Sequence, residues 1–319
     1  MAESGTQNSA APSGPTLNRE LSYYAVLFLD LLGQREAIAS LENLKLLRDD
    51  EAEYYHRFGR AAAGIWGVRC CLIACMEREM RAAIGSVAYT VPHITLQMFS
   101  DTLMVYFPWD QRNPNGLIAL RSLLLAAAET MINALASGIP IRGGLEAHTA
   151  IEFNEQVQGE NFSSAIFHGG DLWGPAPQKA YELAEENDSY MRVRVGAGVP
   201  ALIDQSAEHI KKELDADPNT SHAFVPIMES AKRIVELLAP DPVDNTLIID
   251  YFGKAVGERF DAADVRERVG AAVDFARREY ERFKLDREAS RVADKYKRLL
   301  QYAEARQIPN GMVPPLAGK

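Results

Sequence analysis

The chain has 319 residues, 47% hydrophobic and 24% charged, enough for one domain with additions or two modest ones, each with a real core. Its 34 Lys+Arg against 44 Asp+Glu leave a net charge of −10. That argues against a sequence-independent nucleic-acid binder or a protein docked on anionic membrane, both of which need surface cations.

Met1 to Asn18 is polar and small, without the basic start and apolar run of a signal peptide, so residues 1–20 are expected to be a disordered leader. Tyr23 to Asp30 (YYAVLFLD) predicts a central strand buried on both faces, ending in a lone carboxylate followed by Leu31, Leu32 and Gly33. Two helices are expected between Gln34 and about Ser86. They carry the three cysteines, Cys70, Cys71 and Cys75, which are too few for a disulfide framework and fit a buried helical face. His93 to Phe99 and Leu103 to Phe107 predict two strands joined by a tight turn at Ser100-Asp101-Thr102. A loop follows from Asp110 to Gly116, and then a strongly apolar helix from Leu117 to Leu135.

Ile139 to Phe153 contains a fourth strand opening with Arg142-Gly143-Gly144. After a polar excursion come a short strand at Ser164 to His168, a loop from Gly169 to Pro177, a helix to Asn187 and a strand from Tyr190 to Val195. Helices are expected at Asp204–Leu214, Ser230–Leu238, Ala262–Leu285 and Arg287–Arg306, a short strand at Thr246–Tyr251, and a frayed tail. No segment reaches the roughly 20 uncharged residues of a membrane span, and a cytoplasmic location is expected. The fold class expected is α/β (α+β): a mixed sheet covered on one face by helices.

The chemistry points to Asp30 and Asp101. One ends a buried strand and the other sits on a hairpin turn. If the hairpin flanks the first strand, both carboxylates reach the same sheet edge. Two carboxylates there repel unless a cation joins them or one is protonated. Divalent metals held by one or two carboxylates and substrate phosphates are the usual solution in phosphoryl and nucleotidyl transfer. Arg142 is the candidate phosphate or transition-state cation, since its guanidinium forks onto phosphate oxygens; an ordinary salt bridge is the alternative.

Phe28-Leu29-Asp30-Leu31-Leu32-Gly33 resembles the F-x-D-x-x-G entry of class III nucleotidyl cyclases, Phe99-Ser100-Asp101 their second metal hairpin, and Asp171-Leu172-Trp173-Gly174 their loop–helix segment. The Phe-Ser-Asp turn, the Arg142-Gly143-Gly144 strand start, and Gly174-Pro175-Ala176 with Ala180-Tyr181-Glu182-Leu183 resemble the bacterial pyrimidine cyclases of the Pycsar antiphage system. The resemblance implies a catalytic domain over residues 21–200 and a mainly helical extension over 201–319. It implies two Mg²⁺ or Mn²⁺ ions on Asp30, Asp101 and the Leu31 carbonyl, and backbone amides of Leu31, Leu32 and Gly33 facing phosphates.

Base reading maps by the same resemblance to Gln97 and Asp171. A glutamine amide can donate to O4 of uracil, and a carboxylate can accept from its N3–H, which favours UTP over CTP. The implied activity is conversion of UTP to 3′,5′-cyclic UMP and diphosphate in a head-to-tail homodimer with interfacial sites. It would be a second-messenger signal in antiphage defence. Cytidylate or purine cyclisation, and a catalytically silent nucleotide-binding regulator, are the alternatives. Counting along the helix puts the family's transition-state Asn and Arg at Gln178 and Glu182, so the charge is reversed at the second; Lys179 is an alternative cation there. Trp173, beside the loop, is expected to be packing.

Overall fold

The computed structural model describes residues 21–33, 51–84, 92–110, 115–153, 167–168, 171–185, 190–216, 221–258 and 262–306. The expected leader, most of the first predicted helix, the polar excursion after Phe153 and the C-terminal tail lie outside the described residues.

A mixed nine-stranded sheet organises the chain. Its strands are β1 (Leu21–Leu31), β2 (Ile94–Phe99), β3 (Thr102–Trp109), β4 (Ile141–Phe153), β5 (Phe167–His168), β6 (Asp171–Trp173), β7 (Val193–Val195), β8 (Leu238–Pro240) and β9 (Leu247–Ile249). They run in the order β5-β2-β3-β1-β4-β7-β9-β8, with β6 on the far end of β4. β1 lies between β3 and β4, antiparallel to both. Its run Tyr24–Leu27 is buried, as a strand covered on both faces requires.

Side chains alternate across β1. Ala25, Leu27, Leu29 and Leu31 enter the larger core. That core is completed by helices α1 (Glu51–Ile84), α2 (Gly116–Ala136), α4 (Gly198–Ala216), α5 (Ser221–Leu237), α6 (Lys254–Gly257), α7 (Ala262–Phe283) and α8 (Ser290–Ala305). Tyr24, Val26 and Phe28 face the other way, into a smaller core with Met104, Tyr106, Ala150, Leu172, Ala176 and Ala180. Helix α3 (Pro175–Glu185) covers this second face. The mixed sheet and its main helical layer are as expected; α3 is the helix set apart from that layer.

α2 is the one helix among the described residues long and apolar enough to cross a membrane, and 89% of its most apolar window is buried inside the protein. It is the central core helix. α1 is one continuous helix over the second half of the predicted helical segment. The predicted loop from Gly169 to Pro177 holds strand β6 and the start of α3 instead. Among the cysteines only Cys75 is buried; Cys71 is partly covered and Cys70 exposed. The C-terminal third adds β8 and β9 to the same sheet through a pairing of Arg194 with Ile248.

Candidate active site at the end of strand β1

The hairpin between β2 and β3 closes in two residues, Ser100 and Asp101, with Ser100 in the left-handed region at φ 53°. A small polar residue tolerates that conformation better than a branched one. The turn docks on the end of β1, where the Leu31 N–H donates to the Asp101 carbonyl at 3.1 Å. Register sets the rest. Phe99, Thr102, Asp30 and Arg142 lie in one row across β2, β3, β1 and β4. Gln97, Met104, Phe28 and Gly144 form the next row on the same face.

Asp30 and Arg142 are therefore direct cross-strand neighbours. Arg142 Nε donates to the Asp30 carboxylate at 2.8 Å, and its Nη2 to Glu185 Oε1 at 2.6 Å. The Asp30 and Arg142 side chains are only 13% and 12% exposed. Burial raises the Asp30 pKa above the ordinary carboxylate range. Arg142 opposes this, and the neighbouring Asp101 carboxylate adds to the rise. Two negative groups placed this close, one of them desolvated, match the electrostatics of a cation site. The donor set is all oxygen, which suits Mg²⁺ or Mn²⁺. Among the described residues no group of three or more His, Cys, Asp or Glu side chains gathers, so an ion here would draw its remaining ligands from backbone, water or substrate.

The structure corrects one part of the expected phosphate cradle. The Leu31 amide is engaged by Asp101 and the Leu32 amide donates to the Pro140 carbonyl at 2.8 Å, so neither can meet phosphate. Both bonds are what a strand end needs to satisfy its backbone. Gly33, at φ 81°, takes the left-handed conformation that glycine adopts without steric cost in the turn at the end of β1. The two glycines after Arg142 have packing roles. A Cβ on Gly144 would lie 2.1 Å from the Ala180 carbonyl oxygen in α3, and one on Gly143 would lie 2.5 Å from the Phe28 carbonyl oxygen. The Gly144 contact lets α3 lie directly on β4, which brings Glu185 to Arg142, and Gly143 lets β4 pack closely against β1.

Of the two expected base readers, Gln97 lies one row from Asp30, whereas Asp171 lies at the other end of α3. Gln97 is partly buried on β2, and Asp171 is exposed on β6, paired with Phe153 at the far end of β4. β4 curls there. Glu152 accepts hydrogen bonds from Tyr24 Oη at 3.3 Å and Thr95 Oγ1 at 3.4 Å, which carries β6 towards the strand that holds Gln97. Asp171 precedes the first turn of α3, whereas Glu185, in the Asp30 cluster, closes its last. The 11 residues of α3 span roughly 16 Å at the helical rise. Within one chain the metal candidates and Asp171 are thus held apart.

On the exposed side of α3, Gln178 donates to Glu182 at 2.9 Å, and Lys179 is exposed beside the pair. Trp173 is 72% exposed, contrary to the expected packing role, because the short β6 lies off the main strand order. Two members of the Asp30 cluster escaped sequence reading. Glu185 lies in a predicted helix with no local motif. Lys295 comes from α8, 265 positions after Asp30, and faces Arg142, Asp30 and Glu185 electrostatically; burial and the Arg142 charge lower its pKa below the usual lysine range.

No protein-family model matches the chain, and no curated protein matches it. Solved structures with some likeness include a bacterial light-regulated adenylyl cyclase, at 16% identity and a TM-score of 0.33, covering 59% of this chain and 46% of that one. This chain therefore spans about half the length of that protein. A class III adenylyl cyclase-like ATP-binding protein from Pseudomonas aeruginosa is similar at 13% identity and a TM-score of 0.29, covering 93% of this chain and 73% of that one.

Proposed function

We propose that the protein is a metal-dependent pyrimidine nucleotide cyclase that converts UTP to 3′,5′-cyclic UMP and diphosphate. The observation that carries this reading is the docking of the Asp101 turn on the end of β1, which sets Asp101 beside Asp30 at one sheet edge, with Arg142 in the same row. In this reading Asp30, Asp101 and the Leu31 carbonyl hold two divalent ions, Mn²⁺ or Mg²⁺. When bound, these would lower the pKa of the ribose 3′-hydroxyl and neutralise charge on the triphosphate.

The bond formed joins O3′ to the α-phosphorus. The bond broken joins the α-phosphorus to the bridging oxygen of the β-phosphate, the hydroxyl proton is released, and diphosphate leaves with the electron pair. Arg142 serves as a phosphate cation once substrate competes for it with Asp30 and Glu185. Gln97 and Asp171 read the base, the amide donating to O4 of uracil and the carboxylate accepting from N3–H.

The separation of Asp171 from Asp30 along α3 supports a head-to-tail homodimer, in which one subunit supplies the carboxylates and its partner the base readers. The exposed Trp173, Phe99 and Tyr181 are apolar surface such a partner would cover. A second-messenger role in antiphage defence follows only from the sequence resemblance.

Purified protein incubated with Mn²⁺ and each of the four nucleoside triphosphates, with products identified by mass spectrometry, tests the reading. Cyclic UMP is expected. A cyclic purine nucleotide alone would reject the base assignment, and cyclic CMP in its place would reassign it. Full activity in Asp30→Ala or Asp101→Ala would reject the metal site. A second reading, a nucleotide-binding regulator without turnover, is favoured by the Gln178–Glu182 pair, which leaves a carboxylate where the resembling enzymes place an arginine. Calorimetric binding of nucleotide without product would establish it.

A further inference from the structure

Helix α8 is amphipathic in an uncommon setting. Tyr296, Leu299, Leu300 and Ala303 are buried in the main core, and Ala293 is buried on the same helix. The opposite stripe, Arg291, Asp294, Lys295 and Arg298, recurs at i, i+3, i+4 and i+7, which places these residues on one helical face. That face lines a cleft of about 780 Å³ whose other wall is Arg142 and Glu185. The cleft thus opens beside Asp30, to which Arg142 is bonded at 2.8 Å.

Its charge balance is unlike that of the chain. The protein carries −10 overall, yet the cleft presents four cations against two carboxylates. Arg142 is held by Asp30 and Glu185, and Arg298 Nε donates to Asp294 at 2.8 Å. Among the described residues, Arg291 and Lys295 make no salt bridge. Lys295 is partly buried with Arg142, Asp30 and Glu185 as its charged neighbours; burial and the Arg142 cation disfavour its ammonium form, and an anion in the cleft would relieve that cost. The first turn of α8, Ser290 to Val292, lines the same cleft, and the partial positive charge of a helix N-terminus adds to the attraction.

We infer that α8 is the anion-binding wall of the Asp30 site: Lys295 and Arg291, together with Arg142, receive the diphosphate end of a nucleoside polyphosphate. The nucleotide identity of the ligand rests on the function proposed above; the affinity of the cleft for diphosphate does not. Several cations on two facing walls suit a chain of linked phosphates better than a single carboxylate. They also provide cationic charge from an element outside the α3 helix, where Glu182 stands.

The test is calorimetric titration of the full-length protein with inorganic orthophosphate, diphosphate and triphosphate, repeated with Lys295→Ala, Arg291→Ala and Lys295→Arg. Diphosphate and triphosphate should bind the unaltered protein more tightly than orthophosphate. Each alanine variant should weaken diphosphate binding about tenfold or more, the loss expected for a charge-assisted hydrogen bond, and Lys295→Arg should retain most of the affinity. The melting temperature of Lys295→Ala without ligand should stay at or above that of the unaltered protein, which separates lost binding from lost folding.

Failure of the unaltered protein to bind diphosphate, or equal binding by well-folded alanine variants, would overturn the inference. The same variants in the cyclase assay separate it from the proposed function. Diphosphate binding that depends on Lys295, with no cyclic product from any nucleotide, would reject catalysis and keep the anion wall. Cyclic product formed with unchanged KM by both alanine variants would reject the wall and keep catalysis.

Discussion

Arg142 stands directly opposite Asp30 across the β1–β4 ladder, and its guanidinium occupies the carboxylate expected to hold metal. Arginine and a divalent ion are then competitors for the same oxygen atoms. Arg142→Gln leaves Asp30 mostly buried without its cation and should destabilise the metal-free protein by about 3 kcal/mol. Mn²⁺ should restore part of that loss, so the rise in melting temperature on adding Mn²⁺ should be larger in the variant than in the unaltered protein. Equal shifts would show that the ion and Arg142 do not share Asp30.

The distance imposed by α3 leads to a complementation experiment. Asp30→Asn and Asp171→Ala should each be inactive alone if active sites form between subunits. Mixed dimers carry one site with both defects and one with neither, so a refolded equimolar mixture should regain up to about a quarter of normal activity. Cyclic-nucleotide production checks this, with each variant alone as the control.

Gly144 is required by close contact. A methyl group there would meet the Ala180 carbonyl at 2.1 Å and the Ala184 nitrogen at 2.9 Å, both backbone atoms of a helix. Gly144→Ala must push α3 off β4 and should cost about 1–3 kcal/mol, as overpacking typically does. Because Glu185 is carried on α3, cyclase activity should fall more than stability alone accounts for. Urea denaturation and the nucleotide assay together separate the two effects.

A second buried charge cluster, around Arg192, sets the acid limit. Arg192 and Asp241 are fully buried partners, and Arg192 Nη2 also binds Asp244 at 2.6 Å. Burial alone would raise the Asp244 pKa. Hydrogen bonds from Arg192 and Thr246 outweigh it and hold the carboxyl well below the usual range. A depressed folded pKa adds stability that is present above the ordinary carboxylate pKa of about 3.9 and is lost as pH falls through the folded value. Stability should therefore decline below about pH 4, less steeply in Arg192→Met. That variant should also lose about 3–5 kcal/mol at neutral pH, because Asp241 is left buried without its cation. Urea denaturation at pH 3 and pH 6 measures both.

Strand β1, the β2–β3 hairpin, the apolar α2 and the two carboxylates were legible because their signals are local. A continuous apolar run, a short polar turn and a helical period depend on residues within a few positions of one another. Helix limits were less so: the predicted 204–214 helix extends over Gly198–Ala216, since packing on the core holds turns that local preference leaves undecided.

Which partner each charge meets was not legible. Asp30 and Arg142 are separated by 112 positions, and nothing near either residue specifies the register that joins them. The same holds for the amides of Leu31 and Leu32, which are taken up by a turn and a loop from elsewhere in the chain, and for Trp173, left exposed by the position of β6. The amino-acid sequence by itself determined the strand, the turn and the carboxylates they carry, because each follows from short-range backbone and burial preferences. Only the tertiary structure decided that α3 and α8 bring Glu185 and Lys295 to them, because long-range electrostatic partners are set by how the whole chain packs its two cores.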